Sequence, residues 1–237
     1  MQAFYMDLTY KIGKSIHQKH PLQNSAVLDH KITKVKSNMK LYMTATSPYS
    51  RRARIAIIEA GYRDQCEEID IAPIPENLDK LLSVHPSGKA PTLLLDSGVG
   101  LSECMLIAQH MDDLSNGKLY PEDPKQRLSC RMVESVGSVL MDSLFSRSSQ
   151  NRLDKAEQSH TIINKEIKRS SRLYAALEDV VTELHEKTHM GALTVACALS
   201  YADWRGAEDD WREKHPRLNE WMQEMECHPS FKITSRP

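Results

Sequence analysis

The apolar pattern of this chain changes at residues 119–124, where Leu-Tyr-Pro-Glu-Asp-Pro places two prolines within four residues. Proline fixes its own backbone angle and has no amide hydrogen, so this spacing favours a linker over a helix or strand. Short apolar runs alternate with helical patterns before the linker, and every periodic segment after it is helical. The chain is therefore predicted to place a small α/β domain before an all-α domain.

The segment before the linker has the pattern of a small mixed sheet. Strands are predicted at 41–43, 66–71, 91–95 and 99–101, and helices at 48–60, 76–83 and 103–114. Because Asp96-Ser97-Gly98 forms a turn signal between the last two strands, those strands should pair as an antiparallel hairpin. A parallel βαβ unit combined with such a hairpin makes the sheet mixed.

The predicted domain boundaries follow from these patterns. The α/β domain spans 39–118, the linker 119–124 and the helical domain 125–237, with helices expected at 124–146, 155–189, 193–206 and 217–227. Residues 1–38 carry six lysines against two aspartates and show weak periodicity. We expect them to form a basic extension outside the core fold.

Composition and charge exclude several classes of function. The formal charge is -1, from 31 Lys and Arg against 32 Asp and Glu. This balance offers no overall attraction for nucleic acid or an anionic membrane surface, so neither partner is expected. No run approaches the roughly 18 apolar residues of a spanning helix, and the first residues lack the apolar core of a secretory signal. Five widely spaced cysteines are typical of free thiols, and the expected location is the cytoplasm.

Ser47-Pro48 has the pattern of a helix start, with serine at the N-cap and proline at the first helical position. A capping serine uses its oxygen as an acceptor, so its hydroxyl hydrogen is left to donate. A thiolate placed there would gain that hydrogen bond and the positive end of the helix dipole. The pattern therefore fits both a plain helix cap and a site for a sulfur anion.

Three further features of the α/β half point to a peptide ligand. Ala90-Pro91 precedes a strand, and a cis bond there would turn the Ala90 backbone outward to pair with an extended peptide. Ser102-Glu103-Cys104 opens another helix, where backbone N–H groups can receive a carboxylate and Glu103 can face an ammonium. An ordinary helix start with an acidic first turn has the same pattern. Lys89 is either a solvated turn residue or a second contact for a carboxylate.

The order of these segments resembles that of the cytosolic glutathione S-transferases, with an ending similar to a bacterial serine-type branch. The motifs that carry the resemblance are Ser-Pro-Tyr-Ser-Arg-Arg-Ala-Arg at 47–54, His-Pro-Ser-Gly-Lys-Ala-Pro at 85–91, Leu-Ser-Glu-Cys at 101–104, and the helical stretches 194–205, 215–221 and 228–231. The resemblance covers residues 39–236. It implies a thioredoxin-like α/β domain with a mixed four-stranded sheet, an all-α domain and a homodimer.

The resemblance also implies a role for each matched residue. Ser47 would hold the thiolate of glutathione, and Ala90-Pro91 would pair with the cysteinyl backbone of that tripeptide. Lys89 would reach the tripeptide, and Glu103-Cys104 would bind its γ-glutamyl end. Glutathione enters as a co-substrate, and no prosthetic group or metal is expected.

Two cysteines depart from the family pattern. Cys104 stands where serine is usual, which exchanges a good donor for a weak one and should loosen glutathione binding. Cys197 stands where many members carry an aspartate that caps and orders the following helix, although the bacterial branch tolerates this change. Tyr42 and Tyr49 are rival activating hydroxyls, but one lies inside the first strand and the other one turn into the helix, so both are expected to pack.

His185-Glu186-Lys187-Thr188-His189 matches the H-E-x-x-H pattern of zinc proteases. The residues between the histidines are polar, Met190-Gly191 ends the helical pattern, and no third ligand is apparent. Two histidines near a helix end also complement the negative end of its dipole. We therefore expect no metal site here.

The implied activity is conjugation of glutathione to a small electrophile. The electrophile should contact the helix predicted at 124–146, where Met141, Leu144 and Phe145 are apolar and Arg147 could meet an anion. The same residues fit equally well as core or dimer contacts. Two alternatives stay open. One is glutathione-dependent reduction of a disulfide or peroxide at the same site, and the other is a non-catalytic protein of this fold that acts through protein contacts.

Overall fold

The computed structural model describes residues 38–71, 74–185 and 188–236, so the predicted basic extension lies outside it except for Asn38. Its strands are β1 (Met39–Met43), β2 (Cys66–Asp70), β3 (Thr92–Leu94) and β4 (Gly100–Ser102). They form one sheet in the order β2-β1-β3-β4. Strand β1 runs parallel to β2 and antiparallel to β3, and β3 pairs antiparallel with β4. The predicted mixed four-stranded sheet is confirmed.

Three helices belong to this sheet, namely α1 (Pro48–Glu59), α2 (Pro75–Leu82) and α3 (Cys104–Leu114). The sequence places Ala53, Ile57 and Ala60 at positions i, i+4 and i+7, which predicts one apolar face for this helix. That face is buried, with each of the three residues at most 3% exposed. Gly61 follows this helix with φ +83, a left-handed conformation that glycine adopts without steric cost. The local pattern thus fixed both the buried face and the end of α1.

The rest of the described chain is helical. Its helices are α4 (Pro124–Gln150), α5 (His160–Asp179), α6 (Val181–His185), α7 (Met190–Arg205), α8 (Trp211–Lys214), α9 (Pro216–Glu226) and α10 (Pro229–Ile233). The single helix predicted at 155–189 is wrong in its start and its continuity. The Ser159 side chain accepts from the Ile162 amide and caps α5 there, and Val180 interrupts the helix with φ -106.

Helix α1 joins the sheet to the helical region through two buried arginines. Arg52 pairs with Glu134 of α4, and both side chains are at most 5% exposed. Arg51 donates to the Ser200 hydroxyl and the Phe231 carbonyl, each at 2.8 Å. A buried charge is stable only when hydrogen bonds replace its lost hydration, so these contacts hold α1 in a defined position.

The linker is held by the side chain of Asp112 in α3. One carboxylate oxygen accepts from the Leu119 and Tyr120 amides at 2.8 and 3.2 Å, and the other accepts from Arg127 at 3.0 Å. Tyr120 then donates its hydroxyl to Glu134 at 2.7 Å. These bonds connect the linker to both α3 and α4.

Of the helices in residues 38–71, 74–185 and 188–236, none combines the length and apolar character that a membrane crossing requires.

Candidate active site

Two adjoining cavities lie beside the N-terminus of α1. The Glu103 cavity has a volume of about 430 Å³ and is lined by Tyr49, Lys89, Ala90, Pro91, Ser102, Glu103, Cys104, Asp142 and Phe145. The Trp204 cavity has a volume of about 680 Å³ and is lined by Thr44, Thr46, Ser47, Pro48, Tyr49, Ile71, Ile74, Asn77, Leu78, Leu81, Gly88, Ala90, Phe145, Arg152, Tyr201 and Trp204. Because Tyr49, Ala90 and Phe145 line both, the six residues predicted from the sequence lie around one continuous depression.

Ser47 is the N-cap of α1, as predicted. Its backbone is extended, and its hydroxyl oxygen accepts from the Ser50 amide at 3.2 Å. Among the described residues the hydroxyl donates to no acceptor, so its hydrogen can turn toward the Trp204 cavity that it lines. The positive end of the α1 dipole lies at the same point.

The two rival tyrosines differ in their surroundings. Tyr42 is 7% exposed and packs with Ile71 and Leu81 beneath α2. Tyr49 lines both cavities, but its hydroxyl donates to Asp142 at 2.6 Å. Burial and that carboxylate raise the pKa of Tyr49, which therefore keeps its proton directed at Asp142. Neither hydroxyl is placed to donate to a thiolate, which leaves Ser47.

The Ala90-Pro91 peptide bond is cis, and both residues line the Glu103 cavity. The Lys89 side chain is exposed at the rim of this cavity, and its carbonyl accepts from the Thr92 hydroxyl at 2.7 Å. Gly88 precedes it with φ +58. This left-handed conformation favours glycine, and a Cβ there would also make the end of the Leu78 side chain shift, since it would lie 2.8 Å away.

Glu103 and Cys104 open α3 at the far side of the Glu103 cavity. Glu103 has φ +78, a conformation that is rare for a residue with a side chain and costs about 1–3 kcal/mol. Strain of this kind concentrates at functional sites. Cys104 is 5% exposed, and its sulfur accepts from Arg52 at 3.7 Å. Burial raises the pKa of the Cys104 thiol, although the Arg52 guanidinium opposes this shift.

For the residues of α4 that were expected to contact the second substrate, the core or a dimer partner, the structure favours the core in most cases. Met141 and Leu144 are at most 1% exposed and belong to the core. Arg147 is also buried, and its guanidinium donates to both carboxylate oxygens of Asp209 at 2.7 and 2.8 Å. Phe145 alone of the four lines the cavities.

Several cavity residues carry no local sequence signal. Asp142 and Arg152 lie on the exposed side of α4 or just beyond it, and Tyr201 and Trp204 come from the end of α7. Their positions depend on how α7 packs against α4. A charged or aromatic residue in a helical pattern gives no indication of that packing, so sequence reasoning missed them.

The H-E-x-x-H motif lies mostly outside the described residues, since Glu186, Lys187 and the His185 side chain are not described. His189 is the N-cap of α7, and its Nδ1 accepts from the Ala192 amide at 3.2 Å. Within the described ranges, His, Cys, Asp and Glu side chains form no group that could hold a metal ion.

Cys197 lies within α7 and is 1% exposed, and the cap of this helix is His189. That the chain tolerates cysteine where many members of the family carry a capping aspartate stays a prediction.

Comparisons with known proteins agree with this geometry. Residues 46–114 match the family model described as "Glutathione S-transferase, N-terminal domain". The chain is similar to "Uncharacterized GST-like protein YibF" of Escherichia coli (strain K12), with 24% identity over 84% of this chain and 99% of that protein. It is also similar to "Glutathione S-transferase U22" of Arabidopsis thaliana, with 29% identity over 76% of this chain and 77% of that protein.

One solved structure has the same fold and a bound ligand. It is a glutathione transferase family member from Pseudomonas fluorescens Pf-5, crystallised with bound glutathione. Its TM-score is 0.79 at 27% identity, over 84% of this chain and 99% of that one.

Proposed function

Because the chain belongs to the cytosolic glutathione S-transferase superfamily, we propose that it binds glutathione and conjugates it to a small electrophile. Glutathione occupies the Glu103 cavity, with its sulfur at Ser47, and the electrophile occupies the Trp204 cavity. The observation that carries this proposal is the shared wall of Tyr49, Ala90 and Phe145, which brings the two substrates side by side. The bound glutathione of the Pseudomonas fluorescens relative supports the same ligand here.

The proposed mechanism needs the protein to stabilise a sulfur anion and to hold two reactants together. The Ser47 hydroxyl donates to the sulfur while the N-terminus of α1 favours its negative charge. Lowering the thiol pKa by two units requires about 2.7 kcal/mol of preferential stabilisation. One charge-assisted hydrogen bond and a helix terminus together supply this amount. The thiol proton passes to solvent, and the sulfur then bonds to the electrophilic carbon.

The γ-glutamyl end of glutathione carries an ammonium and a carboxylate. The N-terminus of α3 offers backbone N–H groups to the carboxylate. Glu103 and Asp142 both line this cavity and offer carboxylates to the ammonium. Asp142 also accepts from Tyr49, so it links this subsite to the wall shared with the electrophile.

The state of the cysteines argues against a reductase that uses a thiol of the protein itself. Burial raises the pKa of Cys66 to about 12 and the pKa values of Cys130 and Cys197 to about 11 each. Cys104, which lines the Glu103 cavity, is buried as well. A reductase that forms a mixed disulfide needs an accessible thiolate, and such a thiolate has a lowered pKa.

We therefore expect the folded protein to react rapidly with an aromatic disulfide reagent at only one thiol, the exposed Cys227. The absorbance of the released thiolate should correspond to one thiol per chain at once and to five after unfolding in guanidinium. Cys227→Ser should remove the fast phase. A second fast thiol that disappears in Cys104→Ser would instead support disulfide chemistry.

Cys104→Ser should tighten glutathione binding several-fold, because a serine hydroxyl is a better donor than a thiol. The position opens α3 and lines the cavity, so the new hydroxyl can face the γ-glutamyl end. Titration calorimetry on the wild type, Cys104→Ser and Cys104→Ala measures this effect. Weaker binding by the serine variant than by the alanine variant would contradict the expectation.

Two assays test the proposed function. Retention on immobilised glutathione, with elution by free glutathione, separates a glutathione-dependent enzyme from a non-catalytic protein of this fold. Turnover of 1-chloro-2,4-dinitrobenzene against turnover of hydroxyethyl disulfide then separates conjugation from reduction. We expect retention and conjugation, and turnover of the disulfide alone would overturn the proposal.

A further inference from the structure

The Trp204 cavity has walls suited to a flat apolar molecule. Tyr201 and Trp204 meet edge to face with ring centroids 5.9 Å apart, and Tyr49 and Phe145 meet in the same way at 5.4 Å. All four rings line the cavity, and six of the other twelve lining residues are aliphatic. Aromatic walls in this arrangement bind planar apolar groups well, because they supply large contact area at fixed geometry.

One charged side chain breaks this apolar lining. Arg152 is the only lysine, arginine, aspartate or glutamate among the residues that the structure places around the Trp204 cavity. Its guanidinium lies 5.8 Å from the Phe145 ring centroid and donates to the Ser149 hydroxyl at 3.1 Å. In the described part of the chain, no carboxylate lies within ion-pair distance of Arg152.

Arg147, on the last turns of α4, differs from Arg152 in that a carboxylate already binds its guanidinium. Its guanidinium is buried and held by both oxygens of Asp209, so its charge is already neutralised within the fold. Arg152 has donors to spare and lies at the edge of a cavity. The anion-binding role expected for Arg147 therefore falls to Arg152.

Two further guanidinium groups lie against Trp204. That of Arg205 is 3.6 Å from its ring centroid and that of Arg236 is 5.0 Å away. Neither arginine forms an ion pair with a carboxylate of the described residues. The Arg205 Nε is moreover buried without a hydrogen-bond partner. Arg205 and Arg236 line neither cavity, and Asp203 offsets part of the Arg236 charge, but both add positive charge behind Trp204, one wall of the cavity that Arg152 lines. This charge favours an anionic guest.

We infer that the electrophile is an aromatic compound that carries a carboxylate. Its ring lies among Tyr49, Phe145 and Trp204, and its carboxylate accepts two hydrogen bonds from the Arg152 guanidinium. This inference rests on the proposed function. With an aryl chloride, the glutathione sulfur forms a bond to the ring carbon, the carbon–chlorine bond breaks, and chloride leaves with the bonding electron pair. The thiol proton passes to solvent, so no other reactant is consumed.

The test compares 4-chloro-3,5-dinitrobenzoate with its neutral carboxamide analogue. Both are assayed with the wild type, Arg152→Gln, Arg152→Lys and a matched control, Arg172→Gln, which removes an exposed arginine of α5 that lines neither cavity. The ratio of variant to wild-type kcat/KM is taken for each compound separately, so that their different intrinsic reactivities cancel. The KM for glutathione is measured for each variant with the carboxamide.

We expect Arg152→Gln to lower kcat/KM about tenfold for the benzoate and less than twofold for the carboxamide, as loss of one charge-assisted contact requires. Arg152→Lys should give an intermediate loss, and Arg172→Gln none. Equal losses for both compounds, or a raised KM for glutathione, would overturn the inference, since Arg152 would then serve glutathione or the fold. That result would not contradict the proposed conjugation of glutathione.

A binding experiment covers the case in which no conjugation occurs. Titration calorimetry with 3,5-dinitrobenzoate and 3,5-dinitrobenzamide, neither of which carries a leaving group, measures the cavity alone. Tighter binding of the benzoate that is lost in Arg152→Gln would support the anion site even if the proposed transferase activity failed. Equal binding of the two compounds would overturn the inference independently of any activity.

Discussion

Replacing Ser47 with alanine should lower kcat/KM for conjugation by about ten- to a thousandfold, as the loss of one donor to a developing or resident anion does. The same change should raise the pKa of bound glutathione, because the charge-assisted hydrogen bond favours the thiolate. The sign follows directly: the activity of the variant should rise at a higher pH than that of the wild type. A pH–rate profile of kcat and the thiolate absorbance of the binary complex measure both effects.

The variant also loses a helix cap, at a cost of about 0.5–2 kcal/mol in the free energy of unfolding. Ser47→Asp separates the two roles, because aspartate caps the helix as an acceptor but cannot donate to a thiolate. We expect it to unfold like the wild type and to be at least as inactive as Ser47→Ala. Thr46→Ala is the matched control, since this neighbouring hydroxyl is exposed and lines the same cavity. Full loss in Thr46→Ala with an unchanged profile in Ser47→Ala would assign the thiolate to the other hydroxyl.

One side of the candidate site could be predicted from the sequence, because its residues belong to short motifs that mark the start of a helix or strand. These residues are Ser47, Ala90-Pro91 and Glu103. A serine before a proline caps a helix wherever that pair occurs, and a proline before a strand marks the chain entering the sheet. The sheet then brings these segments together, since β1 and β4 both flank β3 in the structure. Recognition of the short segments was therefore enough to locate one side of the site.

The other side could not be found in this way. Arg152 follows the end of α4 and Trp204 lies in α7, and the two meet at one cavity because α4 packs against α7. The sequence also favoured Arg147, whose spacing on α4 looks equally suitable. Only the position of Asp209 shows that Arg147 is already paired. Such choices depend on tertiary contacts between residues far apart in sequence.

Helix α1 shows, within a single element, that local sequence patterns do not predict tertiary contacts. Its apolar stripe predicted one buried face, and the structure confirms it. Arg51 and Arg52 nevertheless bury a second face against the helical region, at 7% and 2% exposure. Arginine in a helix is usually solvated, so no sequence rule distinguishes these two from the partly exposed pair of Arg54 with Glu68.

Arg52→Met should lower the free energy of unfolding by about 3–5 kcal/mol, which is the usual loss when one partner of a buried ion pair is removed. Glu134 would then keep only the Tyr120 hydroxyl as a donor in a site from which water is excluded. Because Arg52 also donates to the Cys104 sulfur and connects α1 to α4, glutathione affinity should fall with stability. Urea unfolding followed by tryptophan fluorescence measures the first effect and calorimetry the second.

A second variant tests whether the loss comes from the Glu134 carboxylate, which Arg52→Met leaves buried without its ion-pair partner. The triple variant Arg52→Met, Glu134→Leu, Tyr120→Phe leaves no buried oxygen unpaired, since Ser138 lies at a site that solvent reaches. The Cys104 sulfur also loses a donor, but a thiol is only a weak acceptor. Apolar replacement of a whole buried network is often neutral, so we expect most of the lost stability to return. Arg54→Met, in the partly exposed pair on the same helix, is the control and should cost about 1 kcal/mol or less. A triple variant as unstable as Arg52→Met would show that the arginine contributes through packing of its stem, and that the uncompensated carboxylate is not the cause.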